Sequence, residues 1–483
     1  MRIGYLIFIL WLIAFPTKSR NVGKANADSI TNTILPLSWN TLGEIVFINS
    51  GVWAFDRFVM NEKFARITPS TISRNLHHDM VWDNDRFSTN LLAHPYHGNL
   101  YFNAARNNGL NYWQAFPYTL GGSLMWEYIC ETEPPAINDL IATTFGGMAL
   151  GETAFRLSSR ILDESSRGRE RVIREVMATL ISPVRGIKRL ISGEMWAYRP
   201  HILYSKKDSV PLVWNVELGA SYLHNSSYKS KHISPYLRLG FQYGNLFEES
   251  NIPFHHFLFD ITLGMSDKQP LIQRISLTAN LWSRNFGEQT KSNFLFGLFQ
   301  YFSYYDSNQV GELEKNVPLR FSETASWGPG VRLHIPLFNR GEGKLEQHFY
   351  LGAVLLGGSY TDYYQAIDRD YNLGSGYTLK SYTRLQIGRW TEFRLGVEHY
   401  RLFTWKGYKS YELFERNLLY LNAQGDKGNV SFTVINPTLQ IPFLWGSKLH
   451  LDTGFYFRKN YYHHREVQRT KAITLRLGVN WKF

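Results

Sequence analysis

The sequence predicts an α+β fold, in which a transmembrane antiparallel β-barrel of about twelve strands follows an N-terminal helical domain that plugs or caps it. Two observations predict the barrel. The final stretch, 471–483, alternates apolar and polar residues and ends on an aromatic residue, Phe483. Similar alternation recurs from about residue 211 onward, with turn-forming residues between the segments. A third observation predicts the helical domain, because the apolar spacing before about residue 192 follows the helical period.

The N-terminus is typical of an export signal. Arg2 is followed by an apolar run through residue 15, and small residues at 25–27 offer a cleavage site. We therefore expect a signal peptide over 1–27 and a mature protein in the cell outer membrane of a Gram-negative bacterium. Beyond this run, no apolar stretch approaches the roughly 18 residues that suggest a membrane-spanning helix. The sequence thus excludes the class of helical membrane proteins.

The helical domain is predicted over 41–192. Helices are expected over Glu44–Met60, from Pro117 through Glu131, and from Ile137 to about Asp163. In the last of these, Gly147 and Gly151 lie one turn apart. Small residues at this spacing let another backbone approach closely, and we interpret them as a site of tight packing.

A basic amphipathic segment, Arg167–Ile191, ends this domain and is interrupted at Ser182 and Pro183. Its arginines and lysines alternate with valine, isoleucine and leucine at helical spacing. Two interpretations carry equal weight. The segment is either a helix on a membrane surface, with its cations near lipid head groups, or a helix packed on the domain through its apolar side, with its cations in solvent.

The barrel domain is predicted over 211–483. Its first two strands contain 214–221 and 237–242, the last strand is 471–483, and the others are centred on Ile261, Leu277, Leu298, Leu333, Leu351, Leu385, Leu395, Val434 and Phe455. The segment Tyr411–Leu421 is either an extra strand or a long outer loop. A barrel of this size is expected to have a lumen wider than one layer of side chains can fill, so that the helical domain plugs it or water runs through it.

Composition limits the partners. The net charge of +12 suits anionic lipid and lipopolysaccharide, which an exported barrel meets, and we expect no nucleic acid. The barrel-assembly machinery is a further expected partner, through the carboxyl-terminal Phe483, and we expect a monomer. The single cysteine, Cys130, lies far from any lipid-attachment position, which excludes a lipoprotein and a disulfide-linked chain. We interpret it as a small buried apolar residue.

Ionisable residues gather in one part of the helical domain, between Trp82 and Glu152. The candidate catalytic residues are His94, His97, Asp139 and Glu152, and the candidate binding residues are Asp83, Asp85, Arg106 and Glu127. Histidine with carboxylates can bind a metal or transfer protons. A structural alternative stands beside this one: the histidines bond within a turn, Asp139 complements a helix dipole, and Glu152 pairs with Arg106 or Arg156. Because no HExxH, GxSxG, CxxC or P-loop motif occurs, we assign neither a metal ion nor a cofactor.

A dense series of short motifs in this region carries a family resemblance. The motifs are Trp82-Asp-Asn-Asp, His94-Pro-Tyr-His-Gly98, Tyr101-Phe102, Ala105-Arg106, Trp126-Glu127, Asn138-Asp139 and Leu150-Gly151-Glu152. From about Asp79 to Asp163 the chain resembles the domain-of-unknown-function family 3943 of exported proteins. The resemblance implies an envelope location and the identity of this domain. It implies no reaction, because the activity of the family is unknown.

These observations lead to two main functional hypotheses, and the sequence leaves open whether the chain is an enzyme. The first is a gated channel or transporter for a small or lipidic solute, with the helices as plug. The second is an enzyme that hydrolyses or modifies phospholipid or lipopolysaccharide. In it His94 or His97 is the base, Asp139 or Glu152 orients the base, and Arg106 holds a phosphate. A third hypothesis, a surface or scaffolding protein, rests on long aromatic stretches that we expect to be outer loops, such as Tyr301–Leu319 and Tyr360–Tyr377.

Overall fold

The computed structural model describes residues 38–83, 85–199, 210–225, 228–266, 269–287, 292–307, 317–337, 343–363, 370–388, 391–408 and 425–483. The predicted signal peptide and the segment Tyr411–Leu421 lie outside the described residues. The chain forms two compact units. One contains the residues up to Asp83 together with Ala93–Val210, and the other contains Asn84–Leu92 together with Pro211–Phe483.

The first unit is helical. Its helices are α1 (Trp39–Ala54), α2 (Pro69–His77), α3 (His94–Asn107), α4 (Tyr112–Met125), α5 (Ile137–Ile141), α6 (Gly147–Ile161), α7 (Gly168–Ile181) and α8 (Pro183–Ile191). Single π-helical turns occupy Phe55–Val59, Thr89–Ala93, Trp126–Cys130 and Ala142–Gly146. In the described part of the chain, no helix is long and apolar enough to cross a membrane.

Helix α4 begins at Tyr112, so the prediction that Pro117 opens this helix is wrong. The physical reason is a capping box one turn earlier. The side chain of Asn111 accepts the N–H of Gln114, and the side chain of Gln114 accepts the N–H of Asn111. This cap satisfies the backbone N–H groups of Asn111 and Gln114, and Pro117 is accommodated inside the helix.

Helices α3 and α6 pack with their backbones in close contact. A Cβ atom on Gly98 would lie 1.7 Å from the carbonyl oxygen of Thr143, and a Cβ atom on Gly147 would lie 2.6 Å from the backbone of Gly98. One turn further along α6, a Cβ atom on Gly151 would lie 2.8 Å from the ring of Phe102. The predicted role of Gly147 and Gly151 in tight packing is confirmed.

Helix α7 packs through its ionic side. Arg171 and Glu175 are buried and form an ion pair of 2.9 Å, and Arg189 of α8 lies 2.9 Å from the same carboxylate. The apolar side is exposed and consists of Val172, Ile173, Val176, Met177 and Leu180. For α7, the interpretation in which the apolar side packs on the domain is therefore wrong. Buried ion pairs, which periodicity does not reveal, hold this helix in place.

The second unit is a closed antiparallel barrel. Among the described residues its strands are β1 (Leu212–Asn225), β2 (Tyr228–Tyr243), β3 (Phe257–Gly264), β4 (Ile272–Asn285), β5 (Asn293–Asp306), β6 (Arg320–Leu337), β7 (Gly343–Tyr360), β8 (Tyr371–Ile387), β9 (Thr391–Thr404), β10 (Gly428–Pro442), β11 (Lys448–Tyr462) and β12 (Gln468–Lys482). Each strand pairs with its neighbours in sequence, and β1 pairs with β12 to close the ring. The predicted barrel of about twelve strands is confirmed, and each predicted strand centre falls inside an observed strand.

The two faces of the wall differ in polarity. On β12, Leu475 and Leu477 are exposed on the outside, whereas Thr474 and Arg476 are buried and face the lumen. Large exposed apolar side chains cover the outside of other strands and include Leu218, Phe294, Phe296, Leu298, Phe349, Leu351, Leu379, Phe393, Leu439, Leu451 and Phe457. An apolar outer band around a closed barrel is the surface that a lipid bilayer requires. The chain is thus an outer-membrane-type β-barrel with an additional helical unit.

The barrel seam is fixed at the carboxyl terminus. Phe483 exchanges backbone hydrogen bonds with Trp214, and the two rings stack with their centroids 4.4 Å apart. This end of the barrel also carries the short connection between β10 and β11, at 443–447. We call it the short-turn end. The opposite end, where the connection between β9 and β10 spans 405–427, is the long-loop end.

Candidate functional sites

One cluster of candidate residues in the helical unit brings an imidazole and two carboxylates together. His94 is the first residue of α3, Glu127 lies in the π-helical turn Trp126–Cys130, and Asp139 lies in α5. One ligand atom of each lies within 4.8 Å of the others, and Nε2 of His94 is 3.5 Å from Oδ1 of Asp139. Burial lowers the pKa of His94 to about 4, so its ring is neutral at pH 7. We call these three residues the His94 cluster.

His97 lies one turn after His94 and has a different environment. Its Nε2 is 2.7 Å from the hydroxyl of Tyr101, whose O–H also bonds Oδ1 of Asn49, and its ring contacts Trp126 edge to face. Burial, together with the nearby His94, lowers the pKa of His97 to about 3. His97 thus takes part in a buried hydrogen-bond chain between α1 and α3.

Glu152 belongs to a separate ionic cluster at the other end of α3. Arg106 donates from Nε and Nη2 to its two carboxylate oxygens at 2.7 and 3.1 Å, and Nε of Arg156 lies 2.8 Å from Oε1. Arg106 also stacks on Phe155, with its guanidinium carbon 4.2 Å from the ring centroid. Because Arg106 follows His94 by about 18 Å along the axis of α3, the structure does not bring Glu152 and Arg106 together with His94.

The two candidate aspartates fall into different units. The backbone N–H of Asp83 donates to Oδ1 of Asn138 at 2.8 Å, next to the His94 cluster. Asp85 belongs to the barrel unit, where its carbonyl oxygen accepts the hydroxyl of Tyr371 at 2.7 Å. Asp83 therefore adjoins the candidate cluster through its backbone, and Asp85 does not belong to it.

The segment 85–92 lies on the outer face of the barrel wall, at the long-loop end. The ring of Phe87 is 5.4 Å from those of Tyr304 and Tyr371, and Leu91 fills the space beside Gly358. Tyr304 has the same strand parity as the exposed residues 294, 296 and 298 of β5, and register places Gly358 on the same face through Ser322. This segment therefore contacts the outside of the wall and does not occupy the lumen.

The lumen is lined by paired charges, beginning at the short-turn end. There Arg384 donates to Glu392 at 2.9 Å and to Glu346 at 3.2 Å, and Lys448 lies 3.7 Å from Glu392. These four residues come from four strands, and each faces inward by strand parity. They form an arc of alternating charge along one side of the wall just inside this opening.

Charged pairs continue along the lumen toward the long-loop end. Arg238 lies 3.2 Å from Asp260, Arg476 lies 3.3 Å from Asp452, and Arg274 lies 3.2 Å from Glu398. Lys380 lies 2.6 Å from Glu323, and Arg332 donates to Tyr350 at 2.7 Å. Glu217 accepts the hydroxyl of Tyr236 and bonds His450. In four of these pairs a cation lies beside a carboxylate, so the lining is polar and carries both signs of charge.

Aromatic rings close the lumen near the long-loop end. Phe432 of β10 stacks on Phe321 of β6 with centroids 4.8 Å apart and contacts Tyr305 of β5 at 5.8 Å. Tyr400 of β9 lies 4.6 Å from Phe321, and Tyr456 of β11 lies 6.3 Å from Phe432. We call these five residues the aromatic constriction. They belong to one buried apolar cluster with side chains of β1, β7 and β12.

This packing corrects an expectation about the lumen. The sequence predicts a lumen wider than one layer of side chains can fill, so that the helical domain plugs it or water runs through it. Strands β5 and β11 lie on opposite sides of the ring, and the ring centroids of Tyr305 and Tyr456 are 6.3 Å apart. At this level two layers of large rings, one from each of two opposite walls, meet inside the lumen, so the expectation that only the helical domain or water occupies it is wrong here. Strand parity identifies these residues as inward-facing, but no sequence signal reports the distance between opposite walls.

Part of the chain matches a known protein family. Residues 79–184 match the family described as "Domain of unknown function (DUF3943)", which confirms the resemblance over this segment. No curated protein matches the chain in sequence.

Structural comparison finds known membrane barrels. The NanC porin is 11% identical, with a TM-score of 0.29 over 56% of this chain and 100% of that one. The KdgM porin is 10% identical, with a TM-score of 0.24 over 55% of this chain and 99% of that one. The toluene transporter TodX of Pseudomonas putida is 8% identical, with a TM-score of 0.23 over 57% and 89%. Similarity at these scores carries no argument about function.

Proposed function

We propose that this protein is a channel or transporter of the outer membrane that is closed in the conformation described here. The observation that carries the proposal is the charged and hydrogen-bonding lining that extends along the lumen to the aromatic constriction. A barrel that needed only stability would gain as much from apolar filling, because buried ion pairs rarely stabilise more than well-packed apolar residues do. A polar lining serves a solute that must cross the apolar bilayer.

The chemistry of the lining favours a small polar solute over an apolar one. Arginine, lysine, glutamate and tyrosine side chains face the path, and both signs of charge are present among them. A solute that passes would exchange its hydrogen bonds with water for bonds to these groups. The aromatic constriction then acts as the gate, because its rings must separate before a solute can pass.

A swelling assay with proteoliposomes tests this proposal. The variant Phe432→Ala removes the ring that contacts all four other members of the constriction. We expect vesicles with this variant to swell faster in small sugars than vesicles with the unchanged protein. The matched control is Phe457→Ala, which removes an exposed, outward-facing ring on the next strand and should leave the rate unchanged. Equal swelling by the unchanged protein and a folded Phe432→Ala variant would contradict the proposal.

The helical domain as plug is the alternative means of closure. It predicts that deletion of 41–192 raises conductance, whereas closure by the constriction predicts that the same deletion leaves the barrel closed. The expected outer-membrane location, partnership with lipopolysaccharide and the assembly machinery, and monomeric state belong to the same proposal.

A lipid-modifying enzyme is the second candidate, and the 3.5 Å distance between His94 and Asp139 supports it. This pair places a neutral imidazole beside a carboxylate that can orient it. Purified protein that cleaves labelled phospholipid or lipid A, with activity lost in Asp139→Asn, would support the enzyme. Intact lipids with and without divalent metals would exclude it.

A further inference from the structure

The His94 cluster combines the donor types of a transition-metal site. Three separate elements supply one imidazole nitrogen and two carboxylates, with one donor atom of each within 4.8 Å of the others. Glu127 and Asp139 are buried, and the side chain of His94 is only 12% exposed. Imidazole suits zinc, iron and nickel, and carboxylates suit manganese and magnesium. A mixed set of one nitrogen and two oxygens therefore favours zinc, manganese or iron.

We propose that His94, Glu127 and Asp139 bind one divalent transition-metal ion. Donor atoms on a tetrahedral ion with bonds of about 2.1 Å lie about 3.4 Å apart. The distance from Nε2 of His94 to Oδ1 of Asp139 already has this value, at 3.5 Å. The third donor atom, from Glu127, lies within 4.8 Å of the other two, and we expect a bound ion to draw it closer. Three protein ligands leave one position open, as in metal sites that bind a water or a substrate.

Outer hydrogen bonds orient each proposed ligand. Nδ1 of His94 lies 3.3 Å from the hydroxyl of Thr143, so Nε2 is the nitrogen that faces the carboxylates. The backbone N–H of Ala136 donates to Oε2 of Glu127 at 2.8 Å, and the side-chain amide of Asn138 donates to Oδ1 of Asp139 at 2.7 Å. Metal ligands in proteins characteristically have such supporting partners, which fix the ring tautomer and the carboxylate orientation.

The backbone around the cluster gives independent support. Two of the π-helical turns in the described residues adjoin it: Trp126–Cys130 contains Glu127, and Ala142–Gly146 contains Thr143. A π-helical turn is rare and occurs preferentially at functional sites. Two such turns beside one group of side chains indicate that these side chains need positions that regular helices do not provide.

Metal binding to the full-length protein in detergent tests the proposal. After removal of metal with a chelator, the protein is dialysed against Zn²⁺ or Mn²⁺, and bound metal is measured by mass spectrometry. We expect about one ion per chain, and we expect Asp139→Asn to weaken binding by more than about 100-fold. The matched control is Asp79→Asn, an exposed carboxylate in the same unit, which should bind the ion as the unchanged protein does.

Two further variants keep the test decisive. Thr143→Val retains all three ligands and the side-chain shape, and loss of the bond to His94 should weaken binding by about 10–100-fold. It replaces Asp139→Asn if that variant does not fold. His77→Gln removes an exposed histidine and should have no effect. The proposal is overturned if the stripped protein takes up no stoichiometric ion, if the ion is lost in His77→Gln, or if Thr143→Val binds with unchanged affinity.

Discussion

Glu152 illustrates how far single residues can be predicted from the sequence. A carboxylate on an otherwise apolar helix requires a cationic partner, and the sequence offered Arg106 or Arg156. The structure shows both guanidinium groups on the one carboxylate. The position of Glu127 beside His94 and Asp139 could not be predicted in the same way. These residues are far apart in sequence, and the π-helical turns that aim them carry no recognised sequence signal.

Removal of the Glu152 carboxylate should strongly destabilise the helical unit. Glu152→Ala leaves Arg106 and Arg156 buried without their shared counter-charge, and we expect a loss of about 3–5 kcal/mol in the free energy of unfolding. Denaturant unfolding followed by circular dichroism measures it. Glu133→Ala is the control, because Glu133 is exposed and its loss should change stability by no more than about 0.5 kcal/mol. Equal stability of the two variants would show that Arg106 and Arg156 do not depend on Glu152 as a buried counter-charge.

His97 should make the helical unit sensitive to acid. Its pKa is lowered to about 3 by burial and by His94, so the folded imidazole stays neutral while the unfolded one takes up a proton below about pH 6.5. The unfolded state then binds more protons, and stability falls as the pH is lowered from about 6.5 toward 3, by up to about 1.4 kcal/mol per pH unit.

Unfolding at pH 7, 6 and 5 in the presence of a chelator measures this slope. We expect His97→Gln to flatten it, because the variant has no imidazole to protonate. His77→Gln serves as the comparison, since an exposed histidine should leave the slope unchanged. A slope that is the same in all three proteins would contradict the assignment.

At the scale of elements, periodicity predicted the presence of helices and strands better than it predicted their boundaries or their packing. All predicted strands are present, and the helix predicted from Ile137 to Asp163 is present as α5, a π-helical turn and α6. The start of α4 was missed because the capping box at Asn111 outweighs the proline. The packing of α7 was missed because Arg171 and Glu175 are polar in sequence and buried in the structure. Pairing partners decide that burial, and they lie on other elements.

The contact between α3 and α6 allows a sharp test with one methyl group. Gly147→Ala places a Cβ atom 2.6 Å from the backbone of Gly98, and we expect it to destabilise the helical unit by about 1–3 kcal/mol. Gly121→Ala is the matched control, because that helical glycine has nothing within 4 Å of an added Cβ atom. It should stabilise α4 by about 0.5–1 kcal/mol. Thermal unfolding compares the two, and a neutral Gly147→Ala would exclude the close backbone contact.

At the scale of the whole molecule, the alternation of strands determined the barrel and the polarity of its faces. Each inward residue of the aromatic constriction follows from strand parity. The contact of their rings across the lumen does not follow from strand parity, because it depends on how closely opposite walls of the barrel approach each other. A local pattern contains no information about a distance between strands β6 and β10, which are separated by more than 90 residues.

The most direct measurement is single-channel conductance in planar bilayers, which compares two changes to the same chain. One removes the rings of the constriction with Phe321→Ala and Phe432→Ala, and the other deletes 41–192. If the barrel is closed by its own side chains, the double variant conducts and the deletion variant does not. Conductance by the deletion variant, together with a silent double variant, would contradict closure by the constriction and assign the block to the helical domain.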